Sequence, residues 1–347
     1  MAPRLITLSL FPGFLLSLAL PHAVVLAQES VRPDLQGVWS NASLTSLTRM
    51  PGVESLVVTP EQAGVIAASV PIGGIEGGFD EGDGINNTPD VAGDDFGTRA
   101  YNNFWVDPGA TLAQVRGEYR TSYIIDPENG QIPYLENPTT DFRPTNFGSR
   151  YVTGIGDASG PEALPLAERC IISDRRAGPA MQSALYNNTY QFVQTDDYVV
   201  IDVEQIHDAR IIPVFASAEE ARAGHRPEVL MPYMGDSVGW YEDGVLIVET
   251  VNVNPQQMRE SPTAITNRGK VTERFVRHSD SEIVYSFTIE DPALYSQPWT
   301  AELSFYAIEG QLYEYACHEG NYSMAGILAG ARRQDVDNRQ ESPLNRR

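Results

Sequence analysis

The sequence predicts an all-β protein, a large antiparallel meander that is closed into a barrel or folded as a sandwich, with a few short helices. Two observations support this fold class. Segments rich in β-branched and aromatic residues occur in successive pairs joined by turn residues, whereas helix signals are few and short. The sequence also has no phosphate-binding glycine loop and no dinucleotide fingerprint, so nothing in it indicates a nucleotide-binding α/β fold.

Five strand pairs are predicted in succession. In chain order they are 120–125 with 131–135, 189–194 with 198–213, 239–241 with 245–253, 271–277 with 281–289, and 301–308 with 311–318. The third pair is joined at Asp243-Gly244, the strongest short hairpin signal in the chain. In the first pair, Gly130 can adopt the positive φ of a tight turn.

Short helices are predicted at three places. Residues 59–62 (TPEQ) form a capping-box start with proline at the first helical position. Residues 217–220 (SAEE) begin a second helix, which Gly224 can end, and residues 322–328 form a third.

One β-rich domain is expected over residues 28–332. Within it, residues 73–97 are rich in Gly, Asp and Asn, and we expect them to form a surface loop. The acidic side chains of that loop (Asp80, Glu81 and Asp83) could alternatively bind calcium. Residues 333–347 are expected to form a flexible polar tail.

Residues 1–27 have the pattern of a cleaved signal peptide. Arg4 precedes an apolar run over residues 5–20, and slim or small side chains precede a cleavage site after Ala27. A retained membrane anchor is the alternative. We therefore expect a periplasmic or secreted protein with no membrane anchor after processing.

The chain is strongly acidic, with a formal net charge of −22 at pH 7. A charge of this size repels the phosphate backbone of nucleic acids and the surface of anionic membranes. We therefore expect no nucleic-acid partner. The charge by itself names no ligand, and the expectation of a small-molecule ligand or substrate comes from the candidate site residues below.

Cys170 and Cys317 are the only cysteines, 147 positions apart. In an oxidising compartment they are expected to form one disulfide. Closing so long a loop could stabilise the fold by about 4–5 kcal/mol in the chain-entropy model. The alternative is a free Cys317 thiolate that acts as a nucleophile activated by His318.

The predicted strand 198–213 carries the first group of candidate site residues. Side chains alternate across a strand, so His207 ends an otherwise apolar face that also carries Gln205. An imidazole in this position is a candidate acid or base, and a core histidine is the alternative. A regular strand would place His207 on the opposite face from the acidic side chains nearby.

The other face of that strand carries Glu204, Asp208 and Arg210. If this face lines a cavity, Arg210 could bind a carboxylate or stabilise an oxyanion, with Glu204 and Asp208 contacting the substrate. The alternative is a solvated face with weak surface ion pairs.

Residues 314–322 (EYACHEGNY) carry the second group. If the strand predicted over 311–318 is regular, Cys317 lies on one face and His318 on the other. His318, Glu319 and Tyr322 could then join His207 in an acid–base cluster. A zinc site is the alternative, but the HisGlu pair lacks the helical spacing of zinc motifs, so we predict no metal and no cofactor.

Polar and aromatic clusters elsewhere suggest ligand contacts through stacking and amide hydrogen bonds. The candidate residues are Trp105, Tyr186 and Asn188. Turn or core roles are the alternative for each of them.

Two resemblances add to this interpretation. Gly37-Val38-Trp39, together with Arg274, resembles the Gly-x-Trp and arginine pair of lipocalin-type (calycin) barrels, in which the guanidinium covers the indole at the closed end. This resemblance implies a barrel.

The second resemblance covers residues 101–332. Segments such as HDARIIP, GDSVG and YEYACHEGNY resemble a widespread family of exported bacterial proteins with no assigned activity. The resemblance implies export and a shared fold. The chain departs from the family pattern Gly-x-Trp-Glu-Gly-Asp at residues 239–244, where it reads GWYEDG.

The sequence therefore leads to three hypotheses for function. The first is an exported enzyme that acts on a small molecule by His, Glu, Arg and Tyr acid–base chemistry, as a lyase, isomerase or hydrolase without a cofactor. The second is a non-catalytic, lipocalin-like barrel that binds a ligand. The third is a structural protein of the cell envelope.

Overall fold

The structure is a computed structural model that describes residues 32–70, 108–136, 158, 160–173, 177–184, 186–254, 256 and 263–341. The expectations for the signal peptide 1–27, the loop 73–97 and Trp105 lie outside the described residues. The same is true of the end of the predicted tail, from residue 342 onward.

The described chain is mostly β-structure. Its strands are β1 (Gly37–Ser40), β2 (Val57–Val58), β3 (Gln114–Val115), β4 (Glu118–Arg120), β5 (Ile124–Asp126), β6 (Thr189–Gln194), β7 (Tyr198–Val203), β8 (Asp208–Phe215), β9 (Asp236–Glu242), β10 (Val245–Val251), β11 (Lys270–Ser279), β12 (Glu282–Glu290) and β13 (Trp299–Ala307). Its helices are α1 (Pro60–Ser69), α2 (Ala218–Ala223), α3 (Cys317–Gly320) and α4 (Tyr322–Glu341), with short 3-10 turns at Pro161–Ala163 and Gln205–His207.

Nine strands form a closed barrel, in the order β1, β6, β7, β8, β9, β10, β11, β12 and β13. The pairing of Trp39 in β1 with Ala307 in β13 closes it. Strand β5 pairs with the first half of β13 as an additional strand, and β2, β4 and β3 form a separate small sheet. The predicted all-β, barrel-like fold is confirmed, and of its two forms the barrel is the one observed.

The prediction of a purely antiparallel meander is wrong at one place. Strands β8 and β9 run parallel, with Val214 opposite Gly239 and Phe215 opposite Trp240. Parallel neighbours need a long crossover connection, and residues 216–235, which include α2, provide it.

Three of the five predicted hairpins are confirmed. They are β6–β7, β9–β10 and β11–β12. In the second of these, Asp243 (φ 50°) and Gly244 (φ 78°) both take the positive φ of a tight two-residue turn. The turns at 195–197, 243–244 and 280–281 all lie at one end of the barrel, which we call the hairpin end.

The first and fifth predicted hairpins do not form. Residues 131–135 form no strand beyond a single bridge from Tyr134 to Tyr295, because the strand before them, β5, pairs with β13 instead. After β13, residues 311–316 have no regular structure and Cys317 begins the helix α3. Cys317 and His318 therefore lie in one helical turn and not on opposite faces of a strand.

The predicted long strand 198–213 is in fact two strands. The chain turns at residues 204–207, where Ile206 (φ 63°) and His207 (φ 56°) adopt left-handed conformations, and β8 folds back on β7. The turn changes which residues face the interior, from the odd-numbered positions of β7 to the even-numbered positions of β8. We call the end of the barrel that contains this turn the Asp208 end.

The capping signals predicted two helices correctly. Thr59 and Gln62 form the capping box of α1, and Ser217 caps α2, which ends at Gly224. The third helix, α4, continues to Glu341 and so extends well beyond the predicted end at residue 328. None of the described helices is long and apolar enough to cross a membrane.

Aromatic side chains fill much of the barrel interior. Those that are completely buried include Trp39, Tyr190, Phe192, Phe275, Tyr285, Phe287, Trp299 and Phe305. The Trp39 indole lies under the guanidinium of Arg277, whose Cζ is 4.7 Å from the ring centroid. The expectation that Arg274 covers the indole is wrong, because Arg274 is exposed on the outer face of β11.

Candidate functional site

A buried ion pair lies inside the barrel near the Asp208 end. Arg210 on β8 and Glu273 on β11 face each other across the interior, with side chains 2% and 0% exposed. The Arg210 guanidinium donates to both carboxylate oxygens of Glu273, at 2.8 Å and 2.5 Å. This two-bond geometry is the strong form of the arginine–carboxylate contact.

Three hydroxyl groups surround this pair. Tyr285 donates to Glu273 at 2.7 Å, and Ser237 and Thr250 lie 3.3 Å and 3.5 Å from a terminal nitrogen of Arg210. The Ser237 and Thr250 hydroxyls are 2.8 Å apart. We call these five residues the interior polar cluster.

The environment keeps Arg210 charged and Tyr285 neutral. Burial alone would lower the pKa of Arg210, but the facing Glu273 carboxylate raises it above its usual value. Burial, assisted by the Glu273 carboxylate, raises the pKa of Tyr285 well above its usual value. The Tyr285 phenol is therefore a hydrogen-bond donor at neutral pH.

Residues 177–184 cover the cluster and fill the Asp208 end. Met181 donates its backbone N–H to the Tyr285 oxygen at 3.0 Å, and a Cβ at Gly178 would lie only 2.7 Å from an Arg210 nitrogen. Gly178 (φ 91°) also needs the backbone freedom of glycine. The absence of a side chain at Gly178 thus lets this segment, which we call the plug, pass close to the guanidinium.

One donor of the cluster lacks a partner. Among the described residues, the Nε–H of Arg210 is buried and makes no hydrogen bond. A buried N–H without an acceptor costs roughly 1–3 kcal/mol. An additional acceptor at this position would therefore be stabilising.

Asp208 lies two residues before Arg210 on the same inward face of β8. It is 8% exposed and accepts a hydrogen bond from the backbone N–H of Ser173 at 2.7 Å. Burial raises the pKa of Asp208 to about 6, while hydrogen bonding from Ser173 acts in the opposite direction. Asp208 can therefore change protonation state near neutral pH.

The predicted catalytic histidines do not face the interior. His207 lies exposed in the 204–207 turn, and its Nε2 accepts a hydrogen bond from the backbone N–H of Tyr315 at 3.3 Å. His318 and Glu319 are exposed on α3, and Tyr322 is 84% exposed at the start of α4. Of the predicted catalytic group, only Arg210 lies inside the barrel.

The predicted disulfide is confirmed. Cys170 and Cys317 are bonded, with their Cα atoms 5.7 Å apart, so Cys317 carries no free thiolate. Next to the bond, Asn321 donates to the backbone oxygen of Glu168 at 2.8 Å. The bond joins α3 to the loop that contains Ser173, the partner of Asp208.

Of the predicted substrate-binding residues that the structure describes, only Asp208 lies on the inward face that carries Arg210. The Glu204 carboxylate accepts from the Thr189 N–H at 3.3 Å. Asn188 exchanges two hydrogen bonds with the backbone of Ala184, at 2.7 Å and 2.8 Å, and so anchors the end of the plug. Tyr186, which lies between Ala184 and Asn188 in the sequence, is half-buried.

Four residues of the cluster are not among the predicted site residues, namely Ser237, Thr250, Glu273 and Tyr285. A signal for Glu273 is present in the sequence. It is a charged residue between Val271 and Phe275 on the apolar side of a strongly alternating strand. An acidic residue in that position calls for a buried partner, although the alternation does not identify the partner.

A second charged cluster lies on the outer wall. The His225 ring lies between two buried carboxylates, with Nδ1 2.9 Å from Asp236 on β9 and Nε2 3.6 Å from Glu249 on β10. Arg226 binds Asp236 at 2.6 Å, and Arg222 binds Glu249 at 3.2 Å. We call these five residues the outer cluster. Within the described part of the chain, no group of three or more His, Cys, Asp or Glu side chains could hold a metal ion.

Comparison of the chain with protein-family models, with curated proteins and with solved structures finds no match.

Proposed function

We propose that the protein is an exported β-barrel that binds a small molecule at the Asp208 end, with the polar head group of the ligand against the interior polar cluster. The observation that carries this proposal is the completely buried pair of Arg210 and Glu273, in which the Arg210 Nε–H has no acceptor among the described residues. The disulfide supports export, since such bonds persist in oxidising compartments.

Burying the charges of Arg210 and Glu273 costs free energy, and this cost bears on the role of the pair. Replacing a buried ion pair with apolar residues of similar volume is often neutral or stabilising, so such a pair is weak support for a purely structural role. Small barrels can hold one small ligand in their interior. A buried pair with a spare donor supplies the polar contacts that fix a ligand in a mostly apolar site.

The plug bears on how a ligand reaches the cluster. It covers Arg210 and Tyr285 through backbone contacts at Gly178 and Met181. In this proposal the plug shifts when the ligand binds, and the ligand takes over part of the space next to Arg210. Hydrogen exchange at the amide of Met181 should therefore change when a ligand binds.

The proposal is tested by a thermal-shift screen of the purified protein against small apolar compounds, with hits confirmed by calorimetry. Hits should bind at least tenfold more weakly to the double variant Arg210→Met/Glu273→Leu. The variant Arg274→Met is the matched control, because Arg274 is exposed on the outer face of the strand that carries Glu273. Hits that bind the double variant as tightly as the wild type would refute the proposal.

One observation favours a second function, acid–base catalysis at the same end. Asp208 is a buried carboxyl group whose pKa is raised to about 6, and it lies on the inward face next to Arg210. A group that titrates near the working pH can both donate and accept a proton. Mass spectrometry of a metabolite mixture incubated with wild type, but not with Asp208→Asn, should then reveal a new product.

A further inference from the structure

We infer that the ligand is a neutral molecule with an apolar body and one hydrogen-bond-accepting oxygen, such as a ketone, ester, amide or alcohol, and not an organic acid. This inference rests on the proposed function, because it concerns the ligand of the interior polar cluster. It differs from the expectation that Arg210 binds a carboxylate, which the sequence alone suggested.

The charge balance of the site disfavours an anionic ligand. Glu273 already neutralises Arg210 through two hydrogen bonds, and both side chains are buried. A ligand carboxylate would therefore be a second anion next to Glu273, removed from water without a free cation. Burying an unpaired charge in this way costs far more than burying a neutral polar group.

The inward face near the cluster carries a further carboxyl group and no second cation among the described residues that line it. Asp208 is two residues from Arg210, and its ionised form would repel a ligand anion as well. A cationic ligand would lie next to the Arg210 guanidinium, and the Glu273 carboxylate is already engaged by Arg210, which leaves Asp208 as the one carboxyl group on this inward face that could pair with it. The experiment below therefore includes an amine.

The hydrogen bonds of the cluster leave a buried donor without an acceptor. Tyr285 already donates to Glu273, and the Ser237 and Thr250 hydroxyls lie within hydrogen-bond distance of each other. The Nε–H of Arg210 is buried and has no partner among the described residues. An oxygen of a neutral ligand is the acceptor that this N–H lacks.

Apolar side chains form the wall around the cluster. By strand register, Val248 and Phe287 lie opposite Glu273, and Val271 and Phe275 flank it on the same face. All four side chains are completely buried. A ligand held here contacts apolar side chains everywhere except at its head group, so an apolar body is favoured.

The inference is tested with three probes of equal chain length, namely octan-2-one, octanoate and octylamine, by calorimetry at pH 7.5. Wild type should bind octan-2-one at least tenfold more tightly than either charged probe. Glu273→Gln removes the compensating charge, so octanoate should bind this variant at least tenfold more tightly than it binds wild type. The control Glu302→Gln changes a carboxylate on the outer face of β13, paired with Arg116 and Arg120, and should leave all three affinities unchanged.

The possible results separate the two proposals. If wild type binds octanoate or octylamine as tightly as octan-2-one, the inference is overturned while the barrel remains a ligand-binding protein. If no probe binds wild type, the inference is overturned, and the thermal-shift screen decides separately whether the barrel binds another small molecule. The comparison of probes on wild type decides the question even if Glu273→Gln does not fold.

Discussion

The interior polar cluster and the outer cluster share strands β9 and β10 but differ in their environment. On β9, Asp236 faces outward to His225, and its neighbour Ser237 faces inward to Arg210. On β10, Glu249 faces outward and Thr250 inward in the same way. The outer carboxylates have partly exposed partners, with the Arg222 and Arg226 side chains 54% and 56% exposed, whereas Arg210 and Glu273 are both completely enclosed.

This comparison shows that the two faces of strands β9 and β10 lie in different electrostatic environments. Outward charges interact through solvent-exposed arginines, so each pair is weak and replaceable. Inward charges have only each other and the surrounding hydroxyls, so the loss of one partner leaves the other buried and uncompensated. The predictions below test this contrast.

The largest effect is expected from breaking the interior pair. Glu273→Leu leaves the Arg210 charge buried without a partner, and the free energy of unfolding should fall by about 3–5 kcal/mol. Urea denaturation measures this fall. The double variant Arg210→Met/Glu273→Leu should recover most of the loss, and failure to recover would show that the pair stabilises the barrel as a unit.

The disulfide is expected to rank second. Replacing Cys170 and Cys317 with serine should lower the free energy of unfolding by about 2–4 kcal/mol, because the unfolded chain regains the freedom of a 147-residue separation. The disulfide holds the loop that carries Ser173. Hydrogen exchange should therefore rise at the Asp208 end and stay unchanged at the outer cluster; a uniform rise across both regions would contradict the assignment.

Two aspartates, one in each region, should respond to pH with opposite signs. Burial raises the pKa of Asp208 to about 6, so the folded state holds this proton more tightly than the unfolded state does. Its contribution to stability is therefore most favourable below the unfolded pKa, and it is lost as the pH rises through about 6. Asp208→Asn should raise the free energy of unfolding at pH 8 by about 2 kcal/mol and change it little at pH 4.

At Asp236, burial acts to raise the pKa. Hydrogen bonds from Arg226 and His225 together lower the pKa by more than burial raises it, so the net shift is downward. Its contribution is present above the unfolded pKa and is lost as the pH falls through the lower, folded pKa. Asp236→Asn should therefore destabilise the protein at pH 8 and not at pH 3. Chemical denaturation of both variants across this range measures the two slopes, and slopes of equal sign would refute the contrast.

The smallest effect is expected at the exposed edge of the outer cluster. Arg226→Met removes a partner of Asp236 that is 56% exposed, so solvent and His225 can compensate. The free energy of unfolding should fall by less than about 1 kcal/mol, and the loss should shrink at high salt. A larger, salt-independent loss in thermal denaturation would place Arg226 in the same regime as Arg210.

The barrel could be predicted because its hairpins carry local signals. Asp243-Gly244 and the alternation on both sides of it specify β9 and β10 without reference to the rest of the chain. The parallel pairing of β8 with β9 could not be predicted in this way. The parallel pairing depends on where α2 packs. The helical signal of α2 does not indicate the relative direction of β8 and β9, the strands that it connects.

The turn at 204–207 explains why His207 lies outside the barrel and not on an inward face. It contains no Gly, Pro or Asn, and it places Ile206, a β-branched residue, at φ 63°, where such residues are rarely found. The sequence pattern therefore predicts one continuous strand through residues 204–207. The sequence therefore indicates Arg210 as a candidate, but the face that it occupies and its partner Glu273, 63 positions away, are determined only by the closed barrel.

The joint between β8 and β9 has a consequence for how the barrel can change its volume. Only two residue pairs connect these strands, whereas the neighbouring β9–β10 ladder has seven. The wall can therefore widen along this seam with the loss of few backbone hydrogen bonds, and Arg210 and Ser237 lie directly beside it. Transient separation of β8 from β9 would make room for a ligand in the interior while the other strands of the barrel stay paired.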